Sequence, residues 1–276
     1  MTFSPEQLGQ SKRDLAETLK TLRKQAGLTG DRLARRCSMS QSKISKIETG
    51  KMIPSLVDVE SILRALDAPP ALVDEVAELA RIANTEWNAS RLSWRRGLEK
   101  RQSELAHLEA EATEIRYFLP SMITGLLATP EYIRSSLEHA PVDTSKTVER
   151  KLKRQDLLYD TSKSLTFILT EQAVKWPIVP RPAMAVQVDR LVSVSHLPSI
   201  RLGVIPLGTP TPRGPLSTFT IYDDRLATAE TLTGRIVFRD PKDIDQHREI
   251  FSSFEENTFF DDDARDLLLA WANSFR

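Results

Sequence analysis

The chain has 276 residues, of which 40% are hydrophobic, and its 38 Lys and Arg residues balance its 38 Asp and Glu residues. That length predicts one large domain or two moderate ones, the ordinary composition excludes a disordered chain, and no apolar run approaches the about 20 residues that span a bilayer. The one cysteine, Cys37, excludes an internal disulfide framework and a cysteine-rich zinc site, and the N-terminus lacks a secretory signal, so we expect a reduced, cytoplasmic protein without membrane contact.

The balanced net charge conceals an asymmetry between the two ends of the chain. Between Gln10 and Lys51, eleven basic residues face four acidic ones, a local excess of +7. Near the other end, the acidic residues over 255–266 are accompanied by Arg265 alone. Such asymmetry favours nucleic-acid contact at the basic end, with a solvated helical face as the alternative interpretation.

Short helices are predicted throughout the first 84 residues. Leucines at helical spacing form a first helix, which Gly27 ends as a C-terminal cap. Thr29 and Ser40 are predicted to cap a second and a third helix, because their hydroxyls accept hydrogen bonds from the first backbone N–H groups. A fourth helix is predicted after Pro54, and a fifth over about 71–84.

A polar stretch with apolar residues at helical spacing runs from Glu86 to Leu119. Its apolar positions form one predicted seam: Trp94, Leu98, Leu105, Leu108, Ala112, Ile115 and Leu119. Steps of three and four residues are typical of a helix face. Two interpretations of this seam stay open, packing within its own domain or a dimer interface.

The remaining chain mixes helices and strands. Helices are predicted over about 130–139, 144–159, 183–196, 243–256 and 261–274, and strands over 165–169, 200–205, 217–222, 226–231 and 235–238. The last three strands, with turns at Asp223-Asp224 and Thr233-Gly234, indicate an antiparallel meander. The predicted fold is therefore α+β, with an all-α domain over 1–84 and a larger mixed α+β domain over 85–276 that contains a small, mainly antiparallel sheet.

Two features of the first domain point to duplex DNA. Two short helices, over about 31–37 and 40–48, are joined by a tight turn, and the second has a polar outward face. A helix in the major groove can offer Gln to adenine, Lys to guanine and Ser to either base. We therefore predict a DNA-binding helix-turn-helix. The predicted base contacts are Gln41, Ser42 and Lys46, with Lys43 open between base and phosphate, and the predicted phosphate contacts are Arg23, Arg32, Ser40 and Lys51.

The anchor residues of this segment follow one another in a specific order: Leu22-Arg-Lys-Gln-Ala-Gly-Leu-Thr29, Leu33-Ala-Arg-Arg36, Ser40-Gln-Ser-Lys-Ile-Ser-Lys-Ile-Glu-Thr-Gly50 and Pro54. They resemble the phage-repressor, or Xre-type, helix-turn-helix family. The resemblance implies double-stranded DNA as a partner, a core of Leu33, Ala34, Ile44 and Ile47, and structural roles for Glu48 and Gly50. Gln often follows the Thr in that family, whereas Gly30 stands here, so one backbone contact is expected to differ. A helical interaction module that has lost DNA binding is the alternative.

A second set of motifs runs through most of the chain beyond Glu86: residues 109–120 and 125–132, Arg150, Arg154-Gln-Asp-Leu157, Thr170-Glu171, residues 200–206 and Phe219. These motifs resemble the C-terminal domain of actinobacterial, Streptomyces-type developmental regulators. The resemblance implies a small protein partner, acidic or neutral, that is encoded nearby. Arg150, Arg154 and Glu171 are predicted to form a buried ion network or, alternatively, to line a polar pocket for a partner or ligand.

No catalytic, cofactor or metal motif is recognisable in the sequence. Nucleophile–His–acid sets, glycine loops for phosphate and paired metal-ligating histidines are absent, so we expect no enzyme, no cofactor and no metal. One combination, Arg201 with Ser217-Thr218-Phe219 and Glu230, lies on consecutive predicted strands and could hold a nucleotide. Such residues meet by chance in most mixed sheets, so the combination is a weak signal.

These features lead to two functional hypotheses. In the first, a homodimeric transcriptional regulator binds operator DNA, and its C-terminal domain binds a small protein or ligand that changes the affinity for DNA. A dimer is expected because one helix-turn-helix reads few base pairs, and two half-sites restore affinity and specificity. In the second, the chain is the antitoxin-like half of a two-protein pair and binds DNA mainly for autoregulation.

Overall fold

The computed structural model describes residues 5–89, 98–231 and 234–276, with side chains described over 13–84, 105–231 and 234–276. Contacts divide the chain into two compact units. The N-terminal unit contains residues 1–87 and 236–243, and the C-terminal unit contains residues 88–235 and 244–276. Within the described ranges, no helix combines the length and the apolar composition needed to cross a bilayer.

The N-terminal unit begins with five helices: α1 (Pro5–Gln25), α2 (Gly30–Arg36), α3 (Gln41–Glu48), α4 (Leu56–Ala65) and α5 (Pro70–Asn84). The predicted caps are confirmed, because Thr29 Oγ1 accepts a hydrogen bond from Arg32 N at 3.2 Å and Ser40 Oγ accepts one from Lys43 N at 3.1 Å. Gly27 has a φ of 65°, a left-handed conformation that favours glycine and turns the chain after α1. Local signals alone therefore locate the start of α2 and of α3.

The apolar faces of these helices meet in one hydrophobic core. Leu15 and Leu19 of α1, Leu33 of α2, Ile44 of α3 and the inner face of α4 are all buried in it. Each side chain of this size contributes about 1.5–3 kcal/mol when it is fully removed from water. The core fixes which face of α3 points inward, and it thereby fixes the face that stays in solvent.

The C-terminal unit contains both helices and strands. The remaining elements of the chain are β1 (Thr85–Ala89), α6 (Leu98–Glu111), β2 (Glu114–Leu119), α7 (Pro130–Ser136), α8 (Ser145–Lys153), a 3-10 helix (Arg154–Tyr159), β3 (Ser164–Thr170), α9 (Glu171–Lys175), α10 (Arg181–Val194), β4 (Ile200–Ile205), β5 (Thr218–Tyr222), β6 (Leu226–Thr231), β7 (Gly234–Phe238), α11 (Pro241–Glu255) and α12 (Asp261–Asn273). The α+β fold class is confirmed: a helical region comes first and a mixed α/β region follows. The predicted boundary at residues 84 and 85 stays a prediction.

Five of these strands form a sheet in the order β6-β5-β2-β3-β4. β5 pairs antiparallel with β6 and with β2, whereas β3 pairs parallel with β2 and with β4. Of these four pairings, two are antiparallel and two are parallel. The parallel half arises because the helix between β3 and β4 returns the chain to the same end of the sheet, and periodicity carries no information about that direction.

The predicted seam from Trp94 to Leu119 is wrong as a single helix face. Trp94 and the side chain of Leu98 lie outside the described residues, as does Thr233 of the predicted turn. Helix α6 ends at residue 111, and Ile115 and Leu119 belong to strand β2. The chain leaves the helix because the backbone N–H groups of residues 113 and 114 donate to the Asp223 carboxylate at 2.9 and 2.8 Å. A dimer interface built on one continuous helical seam therefore loses its basis.

Candidate nucleic-acid interface

Helix α3 presents one polar face to solvent. Ile44 and Ile47 are buried in the core, while Gln41, Ser42, Ser45 and Lys46 are exposed. Side chains four residues apart lie on the same face of a helix, so these four form two adjacent rows along α3. The sequence prediction of base contacts did not include Ser45, although its spacing from Gln41 was the signal. The exposed face thus carries an amide, two hydroxyls and an ammonium group.

Three of the residues predicted to contact phosphate lie beside this face and are exposed. Arg32 lies on α2, Ser40 caps α3, and Lys51 follows α3 after the turn at Gly50. Cations and a helix N-terminus both attract anions, the latter because its first backbone N–H groups have no partner within the helix. These three residues are available to the phosphates of a DNA backbone. Such contacts position the protein along the duplex but do not distinguish between base sequences.

Lys43 does not belong to the exposed face. Its Nζ lies 2.7 Å from Asp58 Oδ1, and the other carboxylate oxygen of Asp58 accepts a hydrogen bond from Ser55 N at 3.2 Å. Asp58 therefore completes the N-terminal cap of α4 and fixes α3 to it at the same time. The base contact at Lys43 stays a prediction, and this ion pair does not favour it, because the ammonium group is held by a neighbouring helix.

Arg23 needs reassignment, since it was predicted as a phosphate contact. Its Nε and Nη2 donate to the two oxygens of Glu48 at 2.6 and 2.8 Å, and Nη1 donates to Leu28 O at 2.7 Å. The side chains of Arg23 and Glu48 are only 13% and 11% exposed. The hydrogen bond to Glu48 raises the pKa of Arg23. This bidentate pair ties α1 to the end of α3, which also explains the structural role of Glu48.

The three residues predicted to share a site in the C-terminal unit do not meet. Arg154 pairs with Glu109, with Nε to Oε2 at 2.9 Å and Nη2 to Oε1, and the Tyr117 hydroxyl donates to Glu109 Oε1 at 3.3 Å. Glu171 instead binds Lys175 Nζ at 3.0 Å. Arg150 lies on α8, one turn before Arg154. Arg154 therefore belongs to a buried ion pair, but its acid is Glu109 and not the predicted Glu171, and no local pattern around Glu109 pointed to that partner.

The Glu109–Arg154 pair lines a cavity of about 400 Å³ within the C-terminal unit. Strands β2, β5 and β6 supply part of its lining, including Tyr117, Thr220 and Thr228. Burial opposes protonation of Arg154, but the hydrogen bond and charge of Glu109 outweigh it and raise the pKa of Arg154. The positive charge of Arg154 at the cavity wall is therefore held by its ion pair with Glu109.

The weak nucleotide-binding combination is not assembled. Thr218 and Glu230 are direct partners across β5 and β6. Arg201 lies on β4, at the other end of the five-stranded order, where it pairs with Glu255 and its guanidinium carbon lies 3.7 Å from the centre of the Phe260 ring. Over the residues with described side chains, no group of three or more His, Cys, Asp or Glu residues could hold a metal ion.

Comparison with known proteins matches each part of the chain to a family. Residues 14–76 match a helix-turn-helix domain, and residues 102–270 match a domain of unknown function, DUF5753. No curated protein matches the chain.

Two solved structures show a low similarity to the chain. Nuc from Salmonella typhimurium, a phospholipase D family member, is 12% identical with a TM-score of 0.37, covering 64% of this chain and 97% of its own. TrmBL2, an archaeal chromatin protein, is 13% identical with a TM-score of 0.34, covering 72% of this chain and 65% of its own. Both TM-scores are below 0.5, and neither likeness bears on the function of this chain.

The N-terminal part of the chain carries the helix-turn-helix domain of a DNA-binding regulator. The family match over residues 102–270 spans well over half of the chain. The chain therefore belongs to the DUF5753 family, with a helix-turn-helix domain in front of the family domain.

Proposed function

We propose that this protein is a sequence-specific transcriptional regulator of the Xre type, similar to the actinobacterial developmental regulators. The observation that carries the proposal is the exposed polar face of α3 inside a helix-turn-helix domain. A polar helix face that needs no partner within its own unit fits the major groove, where base edges present donors and acceptors. Such a regulator works where operator DNA is found, in the cytoplasm.

The residues of this face divide by the chemistry that each can offer. Gln41 can bond adenine through both amide atoms, Lys46 can donate to guanine, and Ser42 can bond either base. Arg32, Ser40 and Lys51 would hold the phosphates on either side. Arg23 and Lys43 stay within the protein, where they hold α1 and α4 against α3.

We further propose that two copies bind one operator and that the C-terminal domain receives a signal from a small protein or a small ligand. Two half-sites are needed because one recognition helix reads too few base pairs for genomic specificity. An effector changes DNA affinity only if it binds the free and the DNA-bound states with different free energies.

The proposal is tested with genomic fragments that the purified full-length protein retains. Affinity for the recovered fragment should fall linearly on a plot of log affinity against log salt, because bound phosphates release counterions. Lys51→Ala should weaken binding to all sequences and reduce the salt slope by about one. Lys146→Ala, an exposed lysine of α8, is the matched control and should change neither.

Two outcomes would contradict the proposal. A salt-independent affinity would show that phosphate contacts do not hold the complex. Recovery of the protein's own promoter as the sole genomic site, together with a stoichiometric small partner, would instead support an autoregulating two-protein pair.

A further inference from the structure

The floor of the C-terminal cavity is one face of the sheet, and that face changes character along the strand order. Side chains alternate across a strand, so direct partners in neighbouring strands share a face. On β3 and β4 this face carries Phe167 and its partner Leu202. On β5 and β6 the same face carries Thr220, Tyr222 and Thr228, which line the cavity. One half of the face is therefore an apolar core and the other half a row of hydroxyls.

These hydroxyl groups belong to largely buried residues that line the cavity. Thr220, Tyr222 and Thr228 are 7%, 4% and 2% exposed. Their side chains make no hydrogen bond to any residue within the described part of the chain. None of these three hydroxyl oxygens is among the described buried side-chain atoms that lack a hydrogen-bond partner, so they are not sealed within the protein and are reached from the cavity that they line. The row of hydroxyls is therefore available to a molecule in the cavity.

The charges on the described lining of the cavity balance. Among the residues with described side chains, the charged lining residues are Glu109, Glu230, Lys151 and Arg154, two of each sign. Glu109 and Arg154 are paired directly, and the Arg154 side chain is 11% exposed. An anion would need an uncompensated cation, and a cation an uncompensated carboxylate, because burying an unbalanced charge is costly. The site therefore favours an uncharged molecule.

The cavity also has apolar walls and the size of a small-molecule site. Leu105, Leu119 and Ile123 line it beside the hydroxyls, and the exposed side chains of Met122 and Leu216 contribute to its lining. Its volume of about 400 Å³ lies within the about 300–1,000 Å³ typical of small-ligand pockets. A ring with hydroxyls on one side and carbon-bound hydrogens on the other matches both parts of the lining.

We propose that this cavity binds an uncharged, hydroxylated ring compound, a glycoside or a nucleoside, through the hydroxyls of Thr220, Tyr222 and Thr228. Its role as the regulatory signal rests on the proposed function, whereas binding itself does not. Glycosides and nucleosides share a sugar ring with neighbouring hydroxyls, and the probes below distinguish between these two classes of compound.

The test measures binding to the full-length protein by calorimetry, with thermal unfolding as a second readout. The probes are methyl glucoside, adenosine and uridine, each against the wild type, with adenosine monophosphate as the charged counterpart. We expect one of the uncharged classes to bind and to raise the unfolding temperature, and the monophosphate to bind more weakly than adenosine. Binding of none of the uncharged probes, or tighter binding of the monophosphate, would overturn the proposal.

Single-residue variants then locate the site. Thr220→Val and Tyr222→Phe each remove one hydroxyl and should weaken the bound probe about five- to tenfold. Thr166→Val is the matched control, because Thr166 is also 7% exposed in the same sheet but lies on the opposite face, away from the cavity lining. Equal effects of the cavity variants and the control would contradict the assignment.

DNA binding measured on the same preparations separates this inference from the proposed function. Probe binding without DNA binding would overturn the regulator and leave the cavity site standing. DNA binding without probe binding would overturn the cavity site and leave DNA recognition standing.

Discussion

Glu48→Ala is expected to destabilise the N-terminal unit by about 2–4 kcal/mol. The substitution removes both acceptors of a bidentate pair and leaves the Arg23 guanidinium, 13% exposed, without its counter-charge. Breaking a fully buried pair from one side costs about 3–5 kcal/mol. We expect the smaller loss of about 2–4 kcal/mol because Arg23 Nη1 keeps its hydrogen bond to Leu28 O and because the partly exposed pair is reached by water. This loss of stability arises because the Arg23 charge stays buried without a counter-charge. It is therefore larger than the free energy that the Arg23–Glu48 pair contributes to folding.

Two further variants isolate that cause. Glu78→Ala removes an exposed partner of Arg81 on α5, whose side chains are 60% and 45% exposed, and it should cost no more than about 0.5 kcal/mol. The double variant Arg23→Met with Glu48→Leu replaces both charges by apolar side chains of similar length. It should recover most of the loss, because no charge is left buried without a partner.

The assay is urea unfolding of the full-length variants, followed by far-UV circular dichroism. Because the chain has two units, the transition that responds to Glu48 is assigned by comparing both substitutions with the wild type. Equal destabilisation by Glu48→Ala and Glu78→Ala would show that the Arg23–Glu48 pair is worth no more than an exposed ion pair. The double variant should also keep the salt slope of DNA binding, and a fall of about one would restore Arg23 as a phosphate contact.

Three further predictions follow from other contacts. Lys43→Ala should leave base preference unchanged, because Asp58 holds the ammonium group; operator-variant titration measures this, and a relaxed preference at one base pair would contradict it. Glu109→Ala should cost about 3–5 kcal/mol in urea unfolding by orphaning the buried Arg154, and a loss below about 1 kcal/mol would show the pair to be solvated. Burial opposes ionisation of Asp223, but the backbone N–H groups at the start of β2 outweigh it and hold its pKa below the usual range. Its stabilisation is therefore present above the unfolded pKa of about 3.9 and is lost as the pH falls through the folded pKa, so Asp223→Asn should destabilise at pH 7 and progressively less below about pH 4.

Features that depend on a few neighbouring residues were predictable from the sequence. The caps at Thr29 and Ser40 follow from a hydroxyl placed before an apolar repeat. The buried face of α3 follows from the spacing of Ile44 and Ile47, and the exposed face follows from what remains. Each of these features depends on residues within one or two helical turns, so it can be predicted without knowing the tertiary contacts.

Features that depend on distant partners were not predictable. Arg23 meets an acid 25 residues away and Arg154 meets one 45 residues away, and a basic residue in a sequence does not show whether its partner is a carboxylate or a phosphate. The hydroxyl face of the sheet became visible only with the register of β5, β6 and β2. The seam to Leu119 failed because steps of three and four residues also occur where a helix passes into a strand.

Whether the exposed face of α3 reads base sequence is decided by the affinity of Gln41→Ala for the recovered operator and for unrelated DNA of the same length. We expect a loss of about 1–3 kcal/mol on the operator and none on unrelated DNA. An equal loss on both, or no loss on either, would contradict this expectation.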